Sequence, residues 1–171
     1  MCSCFFAKAQ QTAQSEVANL NVPNGLAKAS KSSGTTVLSN DEGSKIQQKL
    51  RLGSLKGEKY TGANTIKFLQ YDSWKLATKA DYLTERKRGI DGVYTVDGAK
   101  SPAGYSSTIK KFADSEALIV KSEQEGYIRY AIFTTNKAHS RVFNATMVAL
   151  KKDAAAADKL VDEFISSIKF K

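Results

Sequence analysis

The clearest periodicity lies near the C-terminal end. The stretch "EALIVKSEQEGYIRYAIFTTNKAHSRVFNATMVALKK" holds three runs rich in β-branched and aromatic residues: Ala117–Ser122, Tyr127–Thr134 and Arg141–Leu150. A Glu-Gln-Glu-Gly turn separates the first two, and Asn136–Ser140 separates the next pair, so an antiparallel meander is predicted. In the middle run Ile128, Tyr130 and Ile132 share one face, while Ala131 and Phe133 line the other. A strand apolar on both faces belongs to a sheet covered on both sides. One cover follows in "DAAAADKLVDEFISSIKF". There Ala157, Val161, Phe164, Ile165 and Ile168 fall at i, i+4, i+7, i+8 and i+11, a single helical stripe, with Asp153 at the N-cap position.

Upstream the pattern weakens. In "NTIKFLQYDSWKLATKADYL", Thr65–Gln70 reads as a strand, and Asp72 or Ser73 as the cap of a helical stretch running towards Leu83. "ERKRG" then ends at Gly89 as a helix C-cap, "GVYTV" is a short strand, and "AKSPAGYSS" is a loop. "GSKIQQKLRLGSLKG" fits a short helix or a strand. Residues 10–43 are rich in Ser, Asn, Gln, Thr and Gly, lack aromatic residues and space their apolar residues singly. Such a composition predicts a flexible polar tether, with a short strand near Thr36–Ser39. The expected fold is therefore α+β: an antiparallel meander covered by helices, its C-terminal helix packed on the sheet, in one domain over residues 44–171.

The first nine residues, "MCSCFFAKA", change the picture of where the protein works. A short apolar run closing on Ala7-Lys8-Ala9, just before a polar stretch, has the form of a bacterial-type signal-peptide remnant cleaved after Ala9. A lipidated Cys4 and a frayed N-terminus are the alternatives. Cleavage would remove both cysteines and with them disulfide and thiol chemistry. No segment reaches the roughly 18 apolar residues of a membrane span. An exported chain, periplasmic or extracellular, is the expectation.

The net charge of +9 on 171 residues favours acidic partners and equally serves solubility. Its clusters, Arg86-Lys87-Arg88, Lys110-Lys111 and Lys151-Lys152, make a polyanion surface only if the fold brings them onto one face. No helix-turn-helix, zinc-finger or RNP-like string accompanies them, so nucleic acid is not the expected partner. His139 is the single histidine, which excludes a His-rich zinc site, and no G-x-S-x-G element presents a serine. The adjacent carboxylates, such as Glu123/Glu125 and Asp162/Glu163, read as solvated faces. Neither a catalytic residue, a metal ligand nor a cofactor is expected. Tyr71 and Trp74, close together at a strand end, are candidates for lining a ligand pocket, with core packing as the alternative. Asn144-Ala145-Thr146 matches a glycosylation acceptor but falls inside a predicted strand.

The order of three strands and a terminal amphipathic helix ending "FISSIKF", with "IKFLQYDSW" before it, resembles the close of the PsbP/Mog1-like fold over Asn64–Lys171. That resemblance implies an antiparallel sheet between helices and a non-catalytic accessory or binding role, often in exported or lumenal proteins. It transfers no functional residue: the metal and photosystem contacts of PsbP-type proteins have no counterpart here. The expected function is an exported accessory or binding protein for a protein or small-ligand partner. Polyanion binding and a hydrolase with an unrecognised site are the alternatives. Oligomeric state is open.

Overall fold

A computed structural model describes residues 11–51, 64–94, 100–124 and 126–171. The expected leader, residues 1–9, lies outside the described residues; of "GVYTV", expected as a strand, Gly92 ends a helix and Val93 and Tyr94 form a turn, and 95–96 lie outside the described residues.

Seven strands form one antiparallel sheet: β3 (Lys28–Ser32), β4 (Thr35–Ser39), β5 (Ile66–Lys75), β6 (Ser106–Lys111), β7 (Ser115–Gln124), β8 (Tyr127–Asn136) and β9 (Arg141–Leu150). Their spatial order is β3-β4-β5-β9-β8-β7-β6, so the predicted meander β7-β8-β9 is present and β5 closes onto β9. β1 (Thr12–Gln14), β2 (Ala18–Asn21) and β10 (Lys169–Phe170) make a small second sheet. The helices are α1 (Asp41–Arg51), α2 (Tyr82–Gly92) and α3 (Ala154–Ser167), the last entered through a 3-10 turn, Lys151–Asp153.

Alternation along the strands decides what covers each face. Ile128, Tyr130 and Ile132 of β8 join Ala117, Ile119, Phe143, Ala145 and Met147 in the main core, under α3 and the small sheet. Phe133 and Ala131 turn the other way and pack with Leu118 and Val120 against Leu83 of α2. The stripe Ala157, Val161, Phe164, Ile165 and Ile168 is buried throughout, as its spacing predicts. Asp153 occupies the cap position of α3, but its carboxylate makes no capping bond.

Several expectations need correction. Residues 11–43 are not a tether: they supply four strands, and Val17, Leu20, Val22 and Leu26 are each at most 2% exposed in the main core. Composition failed because it weighs the segment alone. Its singly spaced apolar residues find their partners on α3 and the sheet, far along the chain. The helical stretch expected between Asp72 and Leu83 is instead the second half of β5, stitched to β9 as far as Lys75–Arg141. The helix starts later, at Tyr82, and passes through Gly89 rather than ending there. "AKSPAGYSS" is a loop only to Tyr105; Ser106 and Ser107 begin β6, an edge strand paired with β7. The ambiguous "GSKIQQKLR" region is helical as α1, whose Ile46 is wholly buried against Phe68, Tyr127, Val148 and Leu150.

Candidate functional site

The middle of a covered sheet is ordinarily apolar, yet the α2-side face of β5 and β9 carries a polar strip. Gln70 stands opposite Thr146, and Asp72 opposite Asn144, as direct cross-strand partners. Phe133 of β8 continues the second row on the far side of Asn144. Asn144 hydrogen-bonds the Asp72 carboxylate, but Asp72 Oδ1 and Asn144 Oδ1 are buried with no partner among the described residues. Burial raises the Asp72 carboxyl above its ordinary range, and the Asn144 bond and the Arg86 charge only partly offset it.

α2 builds the wall of this strip. Arg86 places its guanidinium 4.5 Å from the centre of the Phe133 ring, a cation–π contact. Tyr82 sits one helical turn earlier, and burial raises its hydroxyl pKa. Both line an open groove of about 370 Å³ with Lys79, Glu85, Gly89 and Ile90.

The two aromatic residues singled out in the sequence do not share a pocket. They lie three apart on one continuous strand and so face opposite sides of the sheet. Tyr71 is 4% exposed and stacks on Phe143, 5.3 Å between ring centres, in the main core. Its edge also meets a hydroxyl-rich groove of about 420 Å³ between Ser15, the β3–β4 turn and Ser73. Trp74, half-buried, falls on the face of Asp72 and Asn144. Tyr71 thus lines a groove on one face, and Trp74 lies on the other beside Asp72 and Asn144, which read in sequence as a cap and a strand residue.

The basic clusters come apart. Lys87 is on α2, where it binds the Asp91 carboxylate and donates to Ser107 Oγ at 2.7 Å. Lys110, on the opposite face of the sheet, pairs with Asp162 of α3 at 2.9 Å. Lys111 lies 3.6 Å from Glu116, and Lys151 pairs with Glu123 at 2.6 Å. Arg88 and Lys152 are exposed, but Arg88 is on α2 and Lys152 in the 3-10 turn after β9. No common face joins the three.

Two partly exposed networks were not legible in the sequence. Asp91 accepts from Tyr105 Oη and Ser107 Oγ, each at 2.5 Å, besides Lys87. These bonds hold its carboxyl at about 2. Tyr130 Oη donates to Asp158 at 2.7 Å, and Lys121 pairs with the same carboxylate at 2.8 Å. Burial alone would raise Asp158, but those bonds outweigh it and hold the carboxyl below its usual value. The network lines a cleft of about 230 Å³ between α3 and β6–β8. Among the described residues no group of three or more His, Cys, Asp or Glu could hold a metal, and no helix is long and apolar enough to cross a membrane.

No protein-family model matches this chain, and no curated protein matches it in sequence. The solution structure of cyanobacterial PsbP (CyanoP) from Synechocystis sp. PCC 6803 matches it in fold, with a TM-score of 0.51. The match covers 100% of this chain and 98% of that one at 11% sequence identity. The fold is PsbP-like, as the layout of the sequence implied, and at this identity the likeness is one of fold alone.

Proposed function

We propose that this chain is an exported, non-enzymatic binding domain that takes a small polar ligand on the sheet face beside α2. The observation that carries the reading is the pair of buried acceptors, Asp72 Oδ1 and Asn144 Oδ1. A buried acceptor left without a donor costs about 1–3 kcal/mol, a cost that a ligand N–H or O–H would remove. Trp74, Tyr82 and the Arg86–Phe133 stack supply flat surfaces around the pair. The PsbP-like fold agrees with an accessory role without naming a partner.

For the hydrolase alternative, the described residues offer Lys87 beside Ser107. A base must be free to take the serine proton. Lys87 is bound to the Asp91 carboxylate, and Asp91 at about 2 is too weak a base to take the proton itself. The separation of the basic clusters removes the support for an extended polyanion surface built from them.

A fragment library screened by amide-resolved NMR tests the site. Hits should shift residues 70–74, 82–86 and 142–146 and quench Trp74. Asn144→Leu should weaken them about tenfold, the worth of one well-made bond to a buried acceptor. Hits scattered over the surface, or untouched by Asn144→Leu in a folded protein, would exclude this face. Export has its own test: protein recovered outside the cytosol of the native host should begin at Gln10.

A further inference from the structure

While the sequence clusters separate, the fold gathers a different set of cations at one end of the sheet. Lys75, the last residue of β5, stands directly opposite Arg141, the first of β9, so both side chains leave the same face. Like charges placed directly opposite repel and destabilise the pairing. Neither has a carboxylate within ion-pair distance among the described residues.

The turn between β8 and β9 is rigidly held beside them; its His139 ring turns to the α2 face, Nδ1 3.5 Å from Thr135 Oγ1, and its Lys137 lies within electrostatic reach of Asp114. Asn136 Oδ1 accepts from the backbone N–H of Ser140 at 2.8 Å and of Arg141 at 3.0 Å. Arg141 Nη1 donates to Ser140 Oγ at 3.3 Å, which draws the guanidinium over the turn. His139 takes a left-handed backbone, φ 50°, uncommon for a residue with a side chain. The chain leaving β5 is tied to this turn by Leu76 N–H to Ser140 O and Lys79 N–H to His139 O. Of the carboxylates on the neighbouring loops, Asp114 pairs with Lys169 at 2.8 Å and Glu85 with Lys79.

We propose that Lys75 and Arg141 form a binding site for a small soluble phosphate-type polyanion. A fork of guanidinium donors and a neighbouring ammonium suit the oxygens of a phosphate group. The bound anion would sit between two cations that otherwise repel each other. The site is independent of the strip beside α2, on the other face of the sheet.

Sodium tripolyphosphate titrated into the full chain at about 50 mM salt, where screening is weak, tests it by calorimetry and amide-resolved NMR. Binding should saturate, with shifts confined to residues 73–79 and 136–142. Arg141→Gln should weaken it about tenfold or more, and exposed Lys45→Gln, on α1, should leave it unchanged. Lys75→Glu should abolish binding and raise the thermal midpoint, because an ion pair replaces a repulsion. That second readout separates a lost site from a lost fold. Three results would overturn the proposal. One is the lack of saturation, and another is an equal loss in Lys45→Gln, which would mean diffuse charge. The third is Arg141-dependent cosedimentation with phosphatidylglycerol vesicles without tripolyphosphate binding, which would assign the cations to a lipid headgroup.

Discussion

Gly43 shows how a single atom sets the approach of an element. A Cβ there would lie 1.8 Å from the Lys67 carbonyl oxygen, so α1 can seat on β5 only with hydrogen at that position. The same seat holds the wholly buried Lys67 ammonium 2.8 Å from Glu42. Gly43→Ala should cost about 3 kcal/mol, at the upper end for overpacking, since backbone must move. Gly89→Ala, in open space on α2, should instead gain roughly 0.5–1 kcal/mol from helix propensity. Urea midpoints of the two variants should move in opposite directions. Asp91 gives a pH signature. Its carboxyl is held at about 2 against an ordinary 3.8, so its contribution to stability is full above the unfolded value and fades as pH falls through the folded one. The thermal midpoint advantage of the native chain over Asp91→Asn should be constant above about pH 5 and shrink towards about pH 2. A constant gap down to that pH would mean that Lys87, Ser107 and Tyr105 do not hold the carboxylate as described. None of this was legible from residue type. Asp72 passes for a helix cap and Asn144 for a strand polar residue until the β5–β9 register sets them side by side.

At the scale of elements, legibility followed the range of the interaction. The β7-β8-β9 meander and α3 declare themselves because their periodicity is local and long enough to count. Within β8 even the assignment of faces was readable, since two alternating apolar sets point to two covers. α3 should accordingly behave as core. Phe164, 3% exposed and packed at 6.1 Å from the Phe143 ring, should cost about 3–5 kcal/mol when cut to Ala. Lys159, 79% exposed and 3.7 Å from Glu163, should cost little. Equal urea-midpoint losses would mean that the helix does not pack on this stripe. The segment before α1 was illegible for the complementary reason. β1 and β2 are three and four residues long, and β2 borrows β10 from the far end of the chain. Leu20→Ala should therefore lose about 2–5 kcal/mol, as a buried leucine does, although it sits in a stretch with the composition of a linker. Limited proteolysis checks the same point: cleavage within residues 11–40 of the native protein should be no faster than global unfolding. Rapid removal of that stretch to leave a stable remainder would restore the tether.

At the scale of the molecule, one sheet is packed on both faces, and the strands that separate the main core from the α2-side cluster also couple them. β7 sends Ala117 and Ile119 towards α3 and Leu118 and Val120 towards α2; β8 divides Tyr130 and Ile132 from Ala131 and Phe133 in the same way. Neither face can lose its strands without exposing the other. The main core also joins residue 17 to residue 168, so the two ends of the described fold stand or fall together. This arrangement predicts a single cooperative transition, which the sequence makes easy to follow. Trp74 is the only tryptophan and reports from the α2 face, while the methyl groups of Leu20 and Ile165 report from beneath the small sheet and α3. In urea, the fluorescence and methyl-NMR midpoints should coincide. α2 is the element most able to break that unity, because Leu83 is its only buried residue. Loss of the Trp74 signal at lower urea than the Leu20 and Ile165 signals would therefore identify the α2 face as a separate opening unit. The proposed ligand strip would then sit on the part of the fold that opens first.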